Sequence, residues 1–273
     1  MREPSQRKSE GNTTSTVFPP AFCCLMLAER IIPNCYPDFM GSSPAPSPVV
    51  LHLRGILFDM DGVLISSIGS VERSWETWAR SRAVEPALAI RIAHGRRAIE
   101  TVRELRPDLN DQKELEWLEQ MELNDNIGVE MLHGVRAILA ALPEKFWTVV
   151  TSATDRLARS RMAHGGVPVP ARIVSADMVA NGKPHPEPYL KGAAILGVAP
   201  EDCLVIEDSA SGAEAGHAAG CKVLATLFSH SLESLVSADW VVRSLEDVQI
   251  AVEGDLLTIS FTPVSRDAIA AEI

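Results

Sequence analysis

The stretch Gly55-Ile-Leu-Phe-Asp-Met-Asp-Gly62 decides the fold of this chain. An apolar run, residues 49–58, leads into two aspartates one residue apart, Asp59 and Asp61. Such a run predicts a buried strand of a parallel sheet, and open α/β sheets build their sites at the carboxyl ends of these strands. A nucleophilic carboxylate beside a second acid can split one difficult displacement into two easier steps. The alternative interpretation is a strand followed by an ordinary Asp-Gly turn.

Composition restricts the class of protein and its partners. The 273 residues suffice for one large domain or a domain with an insertion, and a hydrophobic content of 46% supports a sizeable core. The net charge of −11 argues against nucleic acid or an anionic membrane as the main partner. The apolar residues 21–28 are too short to span a bilayer, and they lack the cleavage site of a signal peptide.

The five cysteines include no Cys-x-x-Cys pair, which is typical of reduced, packed thiols. We therefore expect a cytoplasmic protein, monomeric or weakly homodimeric.

The chain divides into predicted parts. Residues 1–48 are rich in Ser, Thr, Pro and Gly, which predicts a disordered extension. Residues 49–66 and 134–250 alternate apolar runs with helical stretches, which predicts an α/β core whose parallel sheet carries helices on both faces. Residues 251–273 are assigned to a C-terminal tail. The predicted strands are 49–58, 146–152, 172–176, 203–207, 222–227 and a short edge strand near 240–242.

Residues 67–133 are too many for an ordinary connection between a strand and a helix. They show helical periodicity, with Val71, Trp75 and Trp78 on one stripe. This pattern predicts a helical cap domain inserted directly after the aspartates, with the stripes as its core. A cap at that position can close over the site and exclude water.

Two further strand ends carry groups that suit an anion. The stretch 146–154 ends in hydroxyls, and Ser152 with the backbone N–H groups that follow it is well placed to hold an anion. Thr154 fits this role or that of a helix N-cap. Lys183 precedes Pro184 on a stiff, extended connection, where it can neutralise a carboxylate and a phosphate; the alternative is a surface lysine.

A fourth segment repeats the pattern of an apolar strand that ends in acids. Glu207 and Asp208 follow the run 203–206 and precede a helix. Paired carboxylates at a strand end suit a hard cation such as Mg²⁺, which prefers oxygen ligands. Asp208 and Ser209 would otherwise merely cap the following helix. All four segments would converge at one edge of the sheet.

In this order, the four segments resemble the motifs of the haloacid dehalogenase-like hydrolase superfamily, over roughly residues 52–250. The insertion lies where the β-phosphoglucomutase-like subfamily has its small helical cap. Three stretches are similar to those of the glycerol-3-phosphate phosphatases: Gly182-Lys-Pro-His-Pro-Glu-Pro-Tyr-Leu190, Thr151-Ser-Ala-Thr154 and His94-Gly-Arg-Arg97.

The resemblance implies a role for each matching residue. Asp59 would attack phosphorus and form an aspartyl-phosphate, and Asp61 would act as acid and then as base. Ser152, Ala153 and Lys183 would bind the phosphoryl group. Mg²⁺ would be held by Asp59, the Asp61 carbonyl, Asp208 and Glu207, the last directly or through water. An acid at position 61 favours phosphoryl transfer over dehalogenation, because a leaving halide needs no proton.

Specificity is assigned to the cap, where His94 and Arg97 are expected to contact the polar end of a small phosphorylated substrate. The alternative for these residues is a solvated basic face. The expected activity is that of a Mg²⁺-dependent phosphatase of phosphorylated polyols or sugars, with glycerol phosphate as the first substrate to test. Two alternatives stay open: a phosphoglucomutase with the same motifs, and a silent phosphate-binding module.

Overall fold

The computed structural model describes residues 47–265. The predicted extension up to residue 46 and the last eight residues of the predicted tail, 266–273, lie outside them. The strands are β1 (Val49–Leu53), β2 (Gly55–Phe58), β3 (Ile65–Ser66), β4 (Glu130–Met131), β5 (Trp147–Val149), β6 (Cys203–Glu207), β7 (Lys222–Thr226), β8 (Trp240–Val242), β9 (Gln249–Glu253) and β10 (Leu256–Phe261). The helices are α1 (Ile68–Ser81), α2 (Pro86–Ala93), α3 (Ala98–Leu105), α4 (Asp111–Asn124), α5 (Val135–Ala141), α6 (Asp155–Gly165), α7 (Glu187–Leu196) and α8 (Ala210–Ala218).

A five-stranded parallel sheet forms the centre of the fold, in the order β5-β2-β6-β7-β8. Strands β2 and β6 are buried along their whole length, as continuous apolar runs predict. Separate apolar clusters lie on the two faces of the sheet, one around Phe58 and Ile206 and the other around Leu57 and Val205. The predicted α/β class with a parallel, two-sided sheet is confirmed.

The predicted single strand over 49–58 is wrong. The structure divides this run at Arg54, so that β1 pairs with β10 in a separate antiparallel sheet while β2 enters the parallel sheet. The polar side chains of His52 and Arg54 interrupt the apolar run, and β1 accordingly alternates between half-buried and exposed positions. The Arg54 N–H donates to the Asp202 carbonyl instead of a strand partner.

Two other regions differ from the predictions. Residues 172–176 form no strand: a single bridge joins Val150 to Val174, and the chain then turns into a 3-10 helix at Ala176–Met178. Residues assigned to the C-terminal tail form most of a hairpin, β9 and β10, that completes the three-stranded sheet β1-β10-β9. Alternate residues of β10 are buried, a period-two pattern that is the sequence signal for this strand.

Four helices, α1 to α4, lie between the short strands β3 and β4. These two strands pair with each other, so the chain leaves the core and returns to it side by side. The helices enclose an apolar cluster of their own, in which Trp75 and Trp78 pack edge to face at 5.3 Å. Within residues 47–265, no helix has the length and apolar character needed to cross a membrane. The helices between β3 and β4 are called the cap below.

Candidate active site

The carboxyl ends of the central strands bring the predicted acids together. Asp59 follows β2, Glu207 ends β6, and Asp208 comes next. One carboxylate oxygen from each of the three lies within 4.8 Å of the other two, and all three side chains are buried. Gly62 makes room for this cluster, because a Cβ at that position would overlap Asp208 Oδ2. Its φ of +84° also favours glycine.

Lys183 reaches into the cluster and is 2% exposed. Its Nζ donates to Asp59 Oδ1 at 2.5 Å, to Glu207 Oε1 at 2.7 Å and to the Val150 carbonyl at 3.0 Å. A buried ammonium is costly unless it is paired, and here its three protons all have acceptors. Lys183 is therefore not a surface lysine: it fixes the position of the Asp59 carboxylate.

Glu207 is held by more donors than either aspartate. Its Oε1 accepts from Lys183 and from the Tyr189 hydroxyl at 2.6 Å. Its Oε2 accepts from the backbone N–H groups of Asp208 and Ser209 and from the Ser209 hydroxyl. Both oxygens are thus engaged by protein donors, which orient Glu207 towards Lys183.

The cluster holds more negative than positive charge. Burial raises the pKa of Asp59 to about 7, in spite of Lys183, and burial beside Glu207 raises the pKa of Asp208 well above its ordinary range. Burial alone would also raise the pKa of Glu207, but Lys183 and Tyr189 outweigh it and lower that pKa. Burial opposes the charge of Lys183, yet Asp59 and Glu207 raise its pKa. With all three acids ionised, the one lysine would leave two negative charges to be balanced, which suits a divalent cation.

Asp61 lies at the edge of the cluster and is held from two sides. Ser67, at the start of the cap, donates its hydroxyl to Asp61 Oδ1. Arg161 of α6 donates Nη1 to both carboxylate oxygens, at 3.1 and 3.2 Å. The other arm of Arg161, Nη2, donates to Glu122 of the cap helix α4 at 3.1 Å.

The hydroxyl segment after β5 also lies at this edge. The Ser152 hydroxyl donates to the Gly95 carbonyl of the cap at 3.0 Å. The backbone N–H of Ala153 donates to Thr151 Oγ1 at 3.1 Å. Thr154 is the N-cap of α6, because its hydroxyl accepts from the Leu157 N–H. The N-cap interpretation of Thr154 is thus confirmed.

The cap loop His94–Arg97 rests on these strand ends. His94 is half-buried and lines the space between cap and core, where its ring lies 6.1 Å from that of His230. Arg97 is buried, and its guanidinium donates to the carbonyls of Ala176, Val179 and Ala180 and to Glu100. Its position therefore contradicts a solvated basic face, since Arg97 ties the cap to a core loop.

A cavity of about 440 Å³ lies between cap and core. Part of the cavity floor is formed by Asp59, Asp61, Asp208 and Ser152. Cap residues such as Trp75 and Leu118 form an apolar wall. A small ligand in this space would contact the cluster of acids and the cap together.

Sequence reasoning did not find several residues of this site: Ser67, Glu122, Arg161, Tyr189 and His230. Arg161 had the clearest signal, because it shares the buried face of α6 with Leu157, Ala158 and Met162. An arginine on an apolar helix face needs a buried acid as partner. The acids that pair with it lie 39 and 100 residues away, so spacing alone could not identify them.

Comparison with known proteins gives the family. The sequence model described as haloacid dehalogenase-like hydrolase matches residues 53–220. The chain therefore belongs to the haloacid dehalogenase-like hydrolases.

Its relatives include phosphatases. The chain is 36% identical over 214 residues to hexitol phosphatase A of Escherichia coli, an alignment that covers 76% of this chain and 99% of the relative. It is 31% identical over 218 residues to glycerol-1-phosphate phosphohydrolase 2 of Saccharomyces cerevisiae, covering 74% and 87%. Among solved structures, β-phosphoglucomutase from Clostridium difficile superposes with a TM-score of 0.62 at 20% identity, over 72% of this chain and 93% of that one. At this identity the superposition shows a shared fold.

Proposed function

We propose that this protein is a Mg²⁺-dependent phosphatase of small phosphorylated polyols or sugars, acting through an aspartyl-phosphate on Asp59. The observation that carries the proposal is the fixed, buried Asp59 carboxylate, 2.5 Å from Lys183 and beside Asp208, on the floor of the cavity. The named phosphatases among its relatives support the same reaction class.

The two steps assign a proton to Asp61. In the first, an Asp59 oxygen bonds to phosphorus, the bond from phosphorus to the substrate oxygen breaks, and Asp61 gives its proton to the leaving alcohol. In the second, Asp61 takes a proton from water, whose oxygen attacks phosphorus. The bond from Asp59 to phosphorus then breaks, which releases inorganic phosphate and restores both carboxyl groups.

Asp59, Asp208 and the Asp61 carbonyl would hold the Mg²⁺ ion. Three buried acids around one lysine have two negative charges to spare once they are ionised, which fits a divalent cation. When bound, the ion supplies positive charge that keeps Asp59 ionised and offsets the charge on the phosphoryl oxygens. Glu207 would anchor Lys183 instead of binding the ion directly, because five donors already engage its two oxygens.

Ser152 would bind a phosphoryl oxygen directly, and Lys183, whose three protons are already engaged, would do so by giving up one of its present acceptors. The Ser152 hydroxyl can turn from the Gly95 carbonyl towards a phosphoryl oxygen, since only a rotation about one bond is needed. The Ala153 N–H would contribute only after leaving Thr151. His94 would contact the distal hydroxyls of the substrate, while Arg97 would hold the cap on the core.

The charges on the cavity wall favour a substrate whose far end is uncharged. Among the described residues that line the cavity, each arginine is paired with an acid: Arg96 with Glu104, Arg97 with Glu100, Arg103 with Asp111, and Arg161 with Asp61 and Glu122. Burial lowers the pKa of both His94 and His230, which favours the neutral form of these rings. A second anionic group would have to compete with these acids for a cation.

This distribution of charge favours hydrolysis over a mutase reaction. A mutase that returns phosphate to a second hydroxyl of a sugar phosphate passes through a bisphosphate, which has an anion at each end. Polyol phosphates such as glycerol phosphate or hexitol phosphates have hydroxyls at the far end. We further propose a cytoplasmic location, with which the free, buried thiols of Cys203 and Cys221 are consistent. We also propose a monomeric or weakly dimeric state.

A substrate panel tests the proposal. We would measure phosphate release, with and without Mg²⁺, from glycerol 3-phosphate, a hexitol phosphate, a hexose 6-phosphate, phosphoglycolate and a hexose bisphosphate. The expected result is Mg²⁺-dependent release, fastest from the esters with an uncharged far end and lost in Asp59→Asn. Retained turnover by Asp59→Asn, or a preference for the doubly anionic substrates, would contradict it.

A further inference from the structure

We infer that Arg161 is a positioning residue for Asp61, and that Glu122 of the cap completes this arrangement when the cap rests on the core. The guanidinium bridges the two carboxylates, with Nη1 on Asp61 and Nη2 on Glu122. The inference rests on the proposed function, in which Asp61 is the acid and base. It assigns to the reaction a residue of α6 that lies outside the four strand-end motifs.

The cost of burying Arg161 indicates that its placement is specific. Its side chain is 3% exposed, on the helix face that also buries Leu157 and Met162. A guanidinium in such a place is stable only when it is paired. Its Nε has no hydrogen-bond partner. The fork is therefore turned towards the two carboxylates at the expense of one unsatisfied donor.

The contact with Asp61 fixes an orientation as well as a distance. A planar guanidinium has its donors in a rigid arrangement, and Nη1 lies almost equally far from both Asp61 oxygens. Ser67 donates to Oδ1 from the other side. The carboxylate is thus held between a core helix and the first residues of the cap. A group that must give a proton to one oxygen and take one from another depends on such placement.

Glu122 connects this arrangement to the cap. It projects from α4 and is buried against Arg161, whereas Asp61 belongs to the core. If the cap moves away, Glu122 leaves and both arms of the guanidinium are available to Asp61. With the cap in place, Glu122 takes one arm and Arg161 keeps only Nη1 on Asp61. The acid–base carboxylate would therefore adopt its working position only when the site is covered.

The test uses the leaving group, because only a basic alkoxide needs a proton from Asp61. We would measure kcat/KM of wild type, Arg161→Met, Arg161→Lys and Glu122→Gln with glycerol 3-phosphate and with p-nitrophenyl phosphate. The value of kcat/KM reports the steps up to departure of the leaving group. Matched controls are Arg159→Met, which is half-exposed on α6 and, among residues 47–265, pairs only with Asp155, and Glu116→Gln, which is exposed on α4.

In Arg161→Met, we expect the loss of kcat/KM to be roughly 10- to 100-fold larger with the alkyl ester, glycerol 3-phosphate, than with the aryl ester, p-nitrophenyl phosphate. Glu122→Gln should show a smaller difference in the same direction. Arg161→Lys should recover only part of the loss, since it restores charge without the fork. The controls should match wild type with both esters. Equal losses with the two esters would show a merely structural role and overturn the inference.

Thermal unfolding would show which variants are folded. If Arg161→Met is not, the isosteric Glu122→Gln carries the test, and an unchanged ratio of the two esters in that variant overturns the inference. A wild-type protein that releases phosphate from neither ester would instead refute the proposed function.

Discussion

Replacing Gly95 by alanine should uncouple the cap from the core without unfolding either. Gly95 has a φ of +73°, and a Cβ at this position would lie 2.6 Å from Ser209 Oγ and from Ser211 Oγ. Its carbonyl accepts from the hydroxyls of Ser152 at 3.0 Å and Ser211 at 3.2 Å. The closed contact therefore depends on the absence of a side chain at residue 95.

The magnitude follows from what the Cβ displaces. Lifting the loop to relieve the overlap would break the hydrogen bond from the Ser211 hydroxyl to the Gly95 carbonyl, with a net value of about 1 kcal/mol; the bond from Ser152 is not counted, because that hydroxyl turns to the substrate in the proposed reaction. A bias of about 1 kcal/mol against the closed arrangement corresponds to about a fivefold loss of kcat/KM, if catalysis requires closure. The unfavourable φ adds its own cost, which a control must remove.

Gly220→Ala is that control, because Gly220 has a φ of +82° and nothing within 4 Å of a Cβ. We would compare kcat/KM and thermal unfolding of the two variants. The expectation is similar thermal stability, with kcat/KM about fivefold lower in Gly95→Ala. Values of kcat/KM within about twofold of each other would refute the reasoning, since the contact seen here would then not belong to the reacting enzyme.

Three other outcomes are expected. Lys183→Met should lower kcat/KM by roughly 10²- to 10³-fold and the free energy of unfolding by about 3 kcal/mol, because buried Asp59 and Glu207 lose their cation. Steady-state kinetics and denaturant titration would measure the two effects. A fall in the free energy of unfolding of less than about 1 kcal/mol would contradict the prediction. Mg²⁺ should raise the unfolding temperature more at about pH 8 than at about pH 6, because the pKa of Asp59 is raised from 3.8 to about 7. The metal-free fold binds the Asp59 proton more tightly than the unfolded chain does, so the stability of the metal-free fold falls as the pH rises from 3.8 to about 7. An equal Mg²⁺ effect at both pH values would count against the cluster as the binding site. Trp78→Phe should destabilise the fold by roughly 1–3 kcal/mol, because buried volume is lost together with the 2.8 Å bond from its indole N–H to Glu114; urea unfolding would measure this, and a value within about 0.5 kcal/mol of wild type would disagree.

The sequence was most informative where chemistry lies next to a strand. Asp59, Glu207 and Asp208 each follow an apolar run, and parallel strands that end at one edge must bring such residues together. The same argument could not divide the run 49–58, because only two polar residues, His52 and Arg54, interrupt it where one strand becomes two.

The cap was harder to interpret, because helical periodicity identifies a buried face but not the surface against which it packs. Arg97 donates to carbonyls of residues 176–180, whose position depends on the turn that replaced the predicted strand 172–176. The bridge from Arg161 to Asp61 and Glu122 joins three segments that are distant in the sequence. Such contacts arise from tertiary packing, which no local pattern encodes.

The fate of phosphorus in a single turnover tests the central claim most directly. Excess enzyme would be mixed with glycerol 3-phosphate and Mg²⁺, quenched in acid at successive times, and the peptide containing Asp59 weighed by mass spectrometry. We predict that a phosphoryl group appears on Asp59 and then decays into inorganic phosphate at the rate of turnover. Release of phosphate with no phosphorylated Asp59 at any time, or transfer of the phosphoryl group to a second hydroxyl instead of water, would contradict the account.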